Sequence, residues 1–286
     1  MLASAATLLL LHATPSHAQY VRTQVDGGAP AADHCVHWPQ GTLTFNQNAQ
    51  GQPGLADAKA GITKALQTWE TKLNSCANLK LVEGAETSSR TVGYDQSSTS
   101  NQNLILFREK QCSQVAPPGD PCFNDGTCGN KYDCWGYGNV SDTIALTTVT
   151  FVLTTGQLVD ADMELNNAAA CFQTDASPNG SCFDVQDTAT HEFGHALGLA
   201  HSPDRSSVMY PTTNPGVTSK RVLDMDSAQF VCDVYPSGLA SRDCVIDATL
   251  GDIGKAAGGG CSSSAPSLTA FAALLSALFL ARRGRA

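Results

Sequence analysis

A layered domain in which helices alternate with short strands, α/β or α+β, is what this 286-residue sequence predicts, on three observations. Apolar residues recur with a helical period in some windows and alternate with a period of two in others. The chain is 42% hydrophobic and 15% charged, which is ample material for a real core and argues against disorder or a collagen-like chain. Eleven cysteines are spread along it at irregular intervals.

Thr42-Leu43-Thr44-Phe45 alternates like a strand. Across 55–73, Ile62, Leu66, Trp69 and Leu73 recur at three and four, a helix with one buried face. Residues 79–82 and 104–107 are short strands. Residues 143–153, rich in Thr, Val and Ile, and residues 157–165 flank Thr155-Gly156 and read as two strands joined by a tight turn. A second helix is expected over 184–199 and a third over 224–235. No repeat of 20–50 residues is visible, so the organisation is one domain from about Cys35 to Cys244, after a short polar lead at 19–34.

The charge balance excludes one class of partner. Seventeen Lys and Arg stand against 26 acidic residues for a net charge of −9, and Arg282, Arg283 and Arg285 cluster at the end, so the body of the chain has no basic footprint for nucleic acid. Most of the acidic residues are Asp in Gly, Asn and Ser-rich stretches, where turn chemistry is their usual role and calcium ligation the other. The cysteines form no CxxC pairs, so they read as disulfides of an exported protein rather than as metal ligands. Sequence proximity suggests Cys171 with Cys182 and Cys232 with Cys244.

Both ends carry an address. An apolar run at 2–11, a breaker at Thr14-Pro15 and Ser16-His17-Ala18 resemble a secretory signal peptide over 1–18, cut before Gln19. At the other end a linker over 245–267 contains Gly258-Gly259-Gly260-Cys261, and 268–286 is an apolar segment closed by the arginine cluster. That arrangement resembles the C-terminal surface-sorting signals of Gram-negative bacteria, the myxobacterial kind especially, in which the tail is removed at the Cys. The alternative is a retained membrane anchor, although the run of about 14 residues is shorter than the roughly 20 that span a bilayer untilted. Either way the protein is placed outside the cytoplasm, extracellular or on the cell surface, with membrane contact only through the tail.

The chemistry is concentrated in His191-Glu192-Phe193-Gly194-His195-Ala196-Leu197-Gly198-Leu199-Ala200-His201. On a helix His191 and His195 lie about 40° apart in direction and one turn apart in height, so both imidazoles reach one ion. Glu192, about 100° further round, stays off the ion but reaches a water bound there. His201 would be about 15 Å from His191 on an unbroken helix, too far to ligate the same ion. The helix must therefore stop and the chain turn back, and Gly198 is placed to do this with a left-handed backbone. A full HExxHxxGxxH arises by chance about once in 10⁵ chains of this length, against about one in a hundred for a bare HExxH.

These residues resemble the metzincin zinc endopeptidases, and Ser202 after the third His with Val208-Met209-Tyr210-Pro211 beyond it is similar to the matrixin branch and its Met-turn. The resemblance extends over roughly 35–236: Trp38 with Leu43-Thr44-Phe45, Ala65 and Trp69 with Leu79-Lys80-Leu81, the 143–162 region, and 223–235. It implies an α+β fold with a mixed, mostly parallel twisted sheet of about five strands, an antiparallel edge strand, and three helices packed on it. It implies one catalytic zinc on His191, His195 and His201 and Glu192 as general base toward a water acidified by the ion. A peptide or protein substrate would lie extended along an edge near 147–151, with 210–220, Tyr210 and Pro211 first, walling the pocket for the residue after the cleaved bond. Met209 would be a packed floor rather than a ligand.

Two departures from the resemblance stand out. Residues 38–190 contain no His, and Asp162 occupies the position of one ligand of the second, structural zinc of vertebrate matrixins, so no structural zinc is expected. Asp160, Asp162 and Glu164 could instead take calcium. The stretch 108–142 is a Cys-rich insertion carrying Cys112, Cys122, Cys128 and Cys134, where disulfides would brace the domain. The reading is a monomeric, secreted or surface-displayed zinc metalloendopeptidase. Its alternative is a catalytically weak, zinc-bearing surface protein that binds peptides or glycans, against which the intact Glu192 argues.

Overall fold

The computed structural model describes residues 20–25, 34–136, 143–175 and 178–244. The signal segment, the linker with Cys261 and the apolar tail expected from the sequence lie outside the described residues. Among the described residues no helix is long and apolar enough to cross a membrane.

Five strands form one mixed sheet: β1 (Gly41–Gln47), β2 (Leu79–Glu83), β3 (Asn103–Arg108), β4 (Ala145–Phe151) and β5 (Leu158–Asn166), in the order β2-β1-β3-β5-β4. β1, β2, β3 and β5 run parallel, while β4 pairs antiparallel with β5 and forms one edge of the sheet. This is the α+β arrangement expected from the sequence. The β4–β5 connection turns at Gly156, where φ is +67° and a Cβ would stand 2.4 Å from the Cys35 carbonyl oxygen, so both conformation and space demand glycine.

Helix α1 (Ala58–Cys76) lays Ile62, Ala65, Leu66, Trp69 and Leu73 on the sheet. The short α2 (Cys112–Val115), α3 (Cys122–Asp125) and α4 (Cys128–Tyr132) fold the Cys-rich insertion. A two-stranded parallel pair, β6 (Phe172–Gln173) and β7 (Phe183–Asp184), leads into α5 (Val185–Ala196), and α6 (Met225–Val234) ends the domain. α1 and α5 are neighbours across the same sheet face. Trp69 is fully buried between them and its indole N–H donates to the Thr190 carbonyl at 2.8 Å, while Phe45 of β1 meets Phe193 of α5 edge to face at 5.1 Å.

The ten cysteines of the domain form five disulfides, Cys35–Cys244, Cys76–Cys232, Cys112–Cys134, Cys122–Cys128 and Cys171–Cys182. Cys171 and Cys182 pair as their spacing suggests. Cys232 does not pair with Cys244: it sits on α6 opposite the end of α1, where Cys76 waits, and the chain beyond α6 runs on to the start of the domain. There the Asp243 carboxylate accepts the Cys35 N–H at 2.7 Å and bonds the His34 ring, so Cys244 is delivered to Cys35. Spatial delivery by packed helices outweighs sequence proximity.

The described part of the lead is also built in. Val25 is buried, and residues 20–25 run antiparallel to the 198–200 segment, with the Thr23 N–H on the Gly198 carbonyl and the Ala200 N–H on the Val21 carbonyl, both at 2.9 Å.

Candidate metal and catalytic site

Helix α5 starts at Asp184, whose carboxylate accepts the Asp187 N–H at 2.8 Å as an N-cap. It stops at Ala196, three residues earlier than the periodicity predicts. Leu197 caps it and Gly198 follows at φ +104°, where a Cβ would stand 2.7 Å from the Val36 carbonyl oxygen. Two buried side chains fix this end: the Trp38 indole N–H donates to the Ala196 carbonyl at 2.7 Å and the Tyr235 hydroxyl to the Leu197 carbonyl at 2.6 Å. The turn they hold brings His201 back to His191 and His195.

The three imidazoles converge. His195 Nε2 lies 3.2 Å from Nε2 of His191 and 3.2 Å from Nε2 of His201. Among the described residues this trio is the one cluster of His, Cys, Asp and Glu atoms close enough to share an ion. A tetrahedral ion with bonds near 2.05 Å holds its ligand nitrogens about 3.3 Å apart, so the residues fit zinc. Their second nitrogens fit it too. His191 Nδ1 is 2.7 Å from the Val208 carbonyl and His195 Nδ1 2.8 Å from the Leu199 carbonyl, acceptors that require the proton on Nδ1 and leave the Nε2 lone pairs facing one another. Burial keeps the rings neutral: His191 is held well below its ordinary pKa, and His195 and His201 are pulled down to about 4.

Glu192 projects from the same helix toward the sheet edge. One carboxylate oxygen accepts the Thr147 hydroxyl of β4 at 2.7 Å. Burial pushes its pKa up to about 7 against that hydrogen bond and the positive charge of Lys220, which pull it down. A carboxylate whose affinity for a proton is matched to neutral pH can both take and return one.

Beneath the ring cluster lies Met209. A Cβ at Gly194 would fall 2.3 Å from the Met209 sulfur, so the motif's glycine leaves the thioether room to pack against α5. The Ser202 N–H donates to the Met209 carbonyl at 2.9 Å, which couples this floor to the turn carrying His201. Asp224 anchors it from the other side: it caps α6 through the Ser227 N–H at 2.9 Å and accepts the Val208 N–H at 2.7 Å. Tyr210 and Pro211 follow, partly and fully exposed, and the chain returns to α5, where the buried Asp187 carboxylate accepts the Lys220 N–H at 2.6 Å.

Asp160, Asp162 and Glu164 lie elsewhere, on the sheet face turned away from α5, and the last two are committed to partners. Asp162 accepts the Leu104 N–H at 2.7 Å and the Gly93 N–H, and Glu164 pairs with Arg108 at 2.6 Å. The sequence reading passed over Thr147 as a partner of Glu192, and Trp38, Asp187, Tyr235 and Asp224 as supports of the site. Their signal is weak because each acts on a main-chain group or across a long sequence separation.

The Matrixin family model matches residues 122–236, the segment holding β4, β5, α5, the methionine turn and α6. Metalloendoproteinase 1 of Glycine max is 29% identical over 200 residues, 69% of this chain and 52% of that protein. Karilysin of Tannerella forsythia is 41% identical over 73 residues, 25% of this chain and 15% of its own, and human neutrophil collagenase 43% over 69 residues, 24% and 14%. The chain thus spans about half the length of the soybean relative and less of the others. Together with the five-stranded mixed sheet, these likenesses support a matrixin-like metzincin domain.

Proposed function

We propose that this protein is a secreted or cell-surface zinc-dependent metalloendopeptidase, with residues 35–244 as its catalytic domain and His191, His195 and His201 as the ligands of one zinc ion. The observation that carries this reading is the convergence of three Nε2 atoms, that of His195 lying 3.2 Å from each of the other two, beside a buried glutamate next to His191 on α5. Zinc bound there would supply a Lewis acid for the scissile carbonyl and a position that acidifies water.

The chain's own residues do the rest. Glu192 takes a proton from the attacking water and delivers it to the leaving amine, and Thr147 holds the carboxylate toward the cleft. The outer edge of β4 offers main-chain donors and acceptors to an extended peptide, so affinity comes without dependence on sequence. Tyr210 and Pro211 flank the residue after the cleaved bond. The five disulfides support export, since such a framework persists in oxidising compartments. A monomer acting on peptides or proteins is the simplest form of this reading.

The test is cleavage of a random peptide library by the purified protein with and without a chelator. Wild type should cut, the chelator should abolish cutting, and Glu192→Ala should lose it while still holding one zinc per chain. Equal cutting by Glu192→Ala would overturn the mechanism, and a wild type that holds zinc yet cuts nothing would overturn the function. A second zinc per chain would contradict the single-site reading.

A further inference from the structure

The segment from Tyr210 to α6 contains a buried cation to which the proposed mechanism gives no contact with substrate. Lys220 is 8% exposed, and the interactions around it define its path. Its main-chain N–H is fixed on the Asp187 carboxylate, one helical turn before His191, and its ammonium reaches the Tyr210 carbonyl, next to the methionine turn under the histidines. The side chain therefore runs from Asp187 on α5 to the main chain at Tyr210, across the space between α5 and the 210–220 segment.

An ammonium has three N–H donors. Among the described residues the Tyr210 carbonyl is the one hydrogen-bond acceptor of this group, and no carboxylate forms an ion pair with it. The nearby acids are otherwise engaged. Asp187 holds the lysine's own N–H and the Thr213 hydroxyl, and Glu192 holds Thr147. Burial pulls the lysine below its ordinary pKa, while Asp187 and Glu192 push it back up. Its positive charge also lowers the proton affinity of His191, Glu192, His195 and His201. A buried ammonium with one neutral acceptor is under-satisfied, and an anionic group entering this space would complete it.

We propose that Lys220 determines specificity, its ammonium receiving the carboxylate of a glutamate or aspartate at the position after the cleaved bond. The inference rests on the endopeptidase reading and adds a substrate class to it, acidic rather than apolar at that subsite. Asp187 supports the arrangement: its carboxylate, pushed up to about 6 by burial, pins the lysine's backbone and attracts the ammonium without forming an ion pair with it.

The test uses three peptides identical except for Glu, Gln or Leu at that position, offered to the zinc-loaded full chain. Wild type should prefer Glu over Gln by about tenfold or more in kcat/KM, the scale of one charge-assisted hydrogen bond. Lys220→Met should erase that preference and favour Leu, and Lys220→Arg should retain it. The same peptides are titrated onto Glu192→Ala by fluorescence, so that a protein that binds with the Glu preference but never cuts refutes the endopeptidase reading and leaves the lysine's role standing. Equal use of Glu and Gln by wild type in both assays would overturn the proposal. So would a Lys220→Met variant that slows all three peptides alike, since the lysine would then act only by holding Tyr210. If Lys220→Met fails to fold, the wild-type and Lys220→Arg ratios still decide.

Discussion

The two faces of strand β5 are buried equally and by opposite means. Toward α5, Ala161, Met163 and Leu165 are inaccessible in an apolar core with Phe45, Trp69 and Phe193. On the other face Asp160, Asp162, Glu164 and Asn166 are as deeply covered, under the 84–102 loop and the Cys-rich insertion. There the order comes from charge. Arg108, itself fully buried, bridges Glu164 at 2.6 Å and Asp133 at 2.8 Å, and Arg90 holds the other oxygen of Asp133 at 2.7 Å. One face is held by area removed from water and tolerates imperfect geometry; the other is held by pairings that fail all at once when a partner is lost.

The largest effects separate these two kinds of burial. Phe193→Ala on the apolar side should cost about 3–5 kcal/mol. Arg108→Met should cost about as much, 3–5 kcal/mol, because it removes the buried cation with which Glu164 forms its ion pair in the interior. The rescue differs. Adding Glu164→Met to Arg108→Met should restore most of the loss, since an apolar pair can replace a buried ion pair, whereas no single second substitution refills the Phe193 cavity. Urea unfolding of the four proteins at pH 7 measures this, and an Arg108→Met cost below about 1 kcal/mol would show that the charged face contributes little.

Next in size is a contrast between disulfides. Cys35–Cys244 closes the whole domain across 209 residues, while Cys122–Cys128 closes six within the insertion. By the loop-closure relation the long bridge restricts the unfolded chain by about 3 kcal/mol more than the short one. Replacing each pair by serines should therefore lower the melting temperature far more for Cys35 and Cys244. The reverse order would mean that the insertion, with Asp120 bonded to Lys131 and Tyr132, depends on its small staple more than the domain depends on its long one.

The contrast also explains what could be read in advance. The apolar face was legible: the three-and-four spacing of Ile62, Leu66, Trp69 and Leu73 became the buried stripe of α1, and the parallel sheet with its antiparallel edge followed the strand patterns and the resemblance. Spacing alone implied the convergence of the histidines and the glycine turn, because helix geometry leaves no other way for His201 to return. The charged face was not legible. Alternation of apolar and acidic residues in β5 reads as a strand with one wet side, and nothing local reveals that Arg108, 56 residues away in sequence, covers that side. The individual roles of Thr147 and Lys220 were not legible for the same reason: the expected edge at 147–151 and wall at 210–220 include them, but their contacts are defined by partners on other elements.

The smallest expected effect sharpens the comparison by pH. Asp160 and Asp162, neighbours on the charged face, both have raised pKa values, Asp160 from burial and then from Asp162, Asp162 chiefly from burial against the Gly93 and Leu104 amides that hold it down. One Asp160 oxygen is buried with no hydrogen-bond partner, while Glu164 beyond it is matched by Arg108. The folded protein therefore binds a proton here that the unfolded chain, with carboxylates near 4, releases. Stability from this pair is fully present below that ordinary value and is lost as pH rises through the raised ones, opposite to a salt-bridged carboxylate. Asp160→Asn carries the proton's hydrogen-bonding capacity permanently, so it should flatten the decline in melting temperature between pH 5 and pH 8, by about 2–4 °C for each kcal/mol involved. A variant whose melting curve follows wild type across that range would show that the pair is charged at both ends of it, and that the outer face is ordered by its arginines alone.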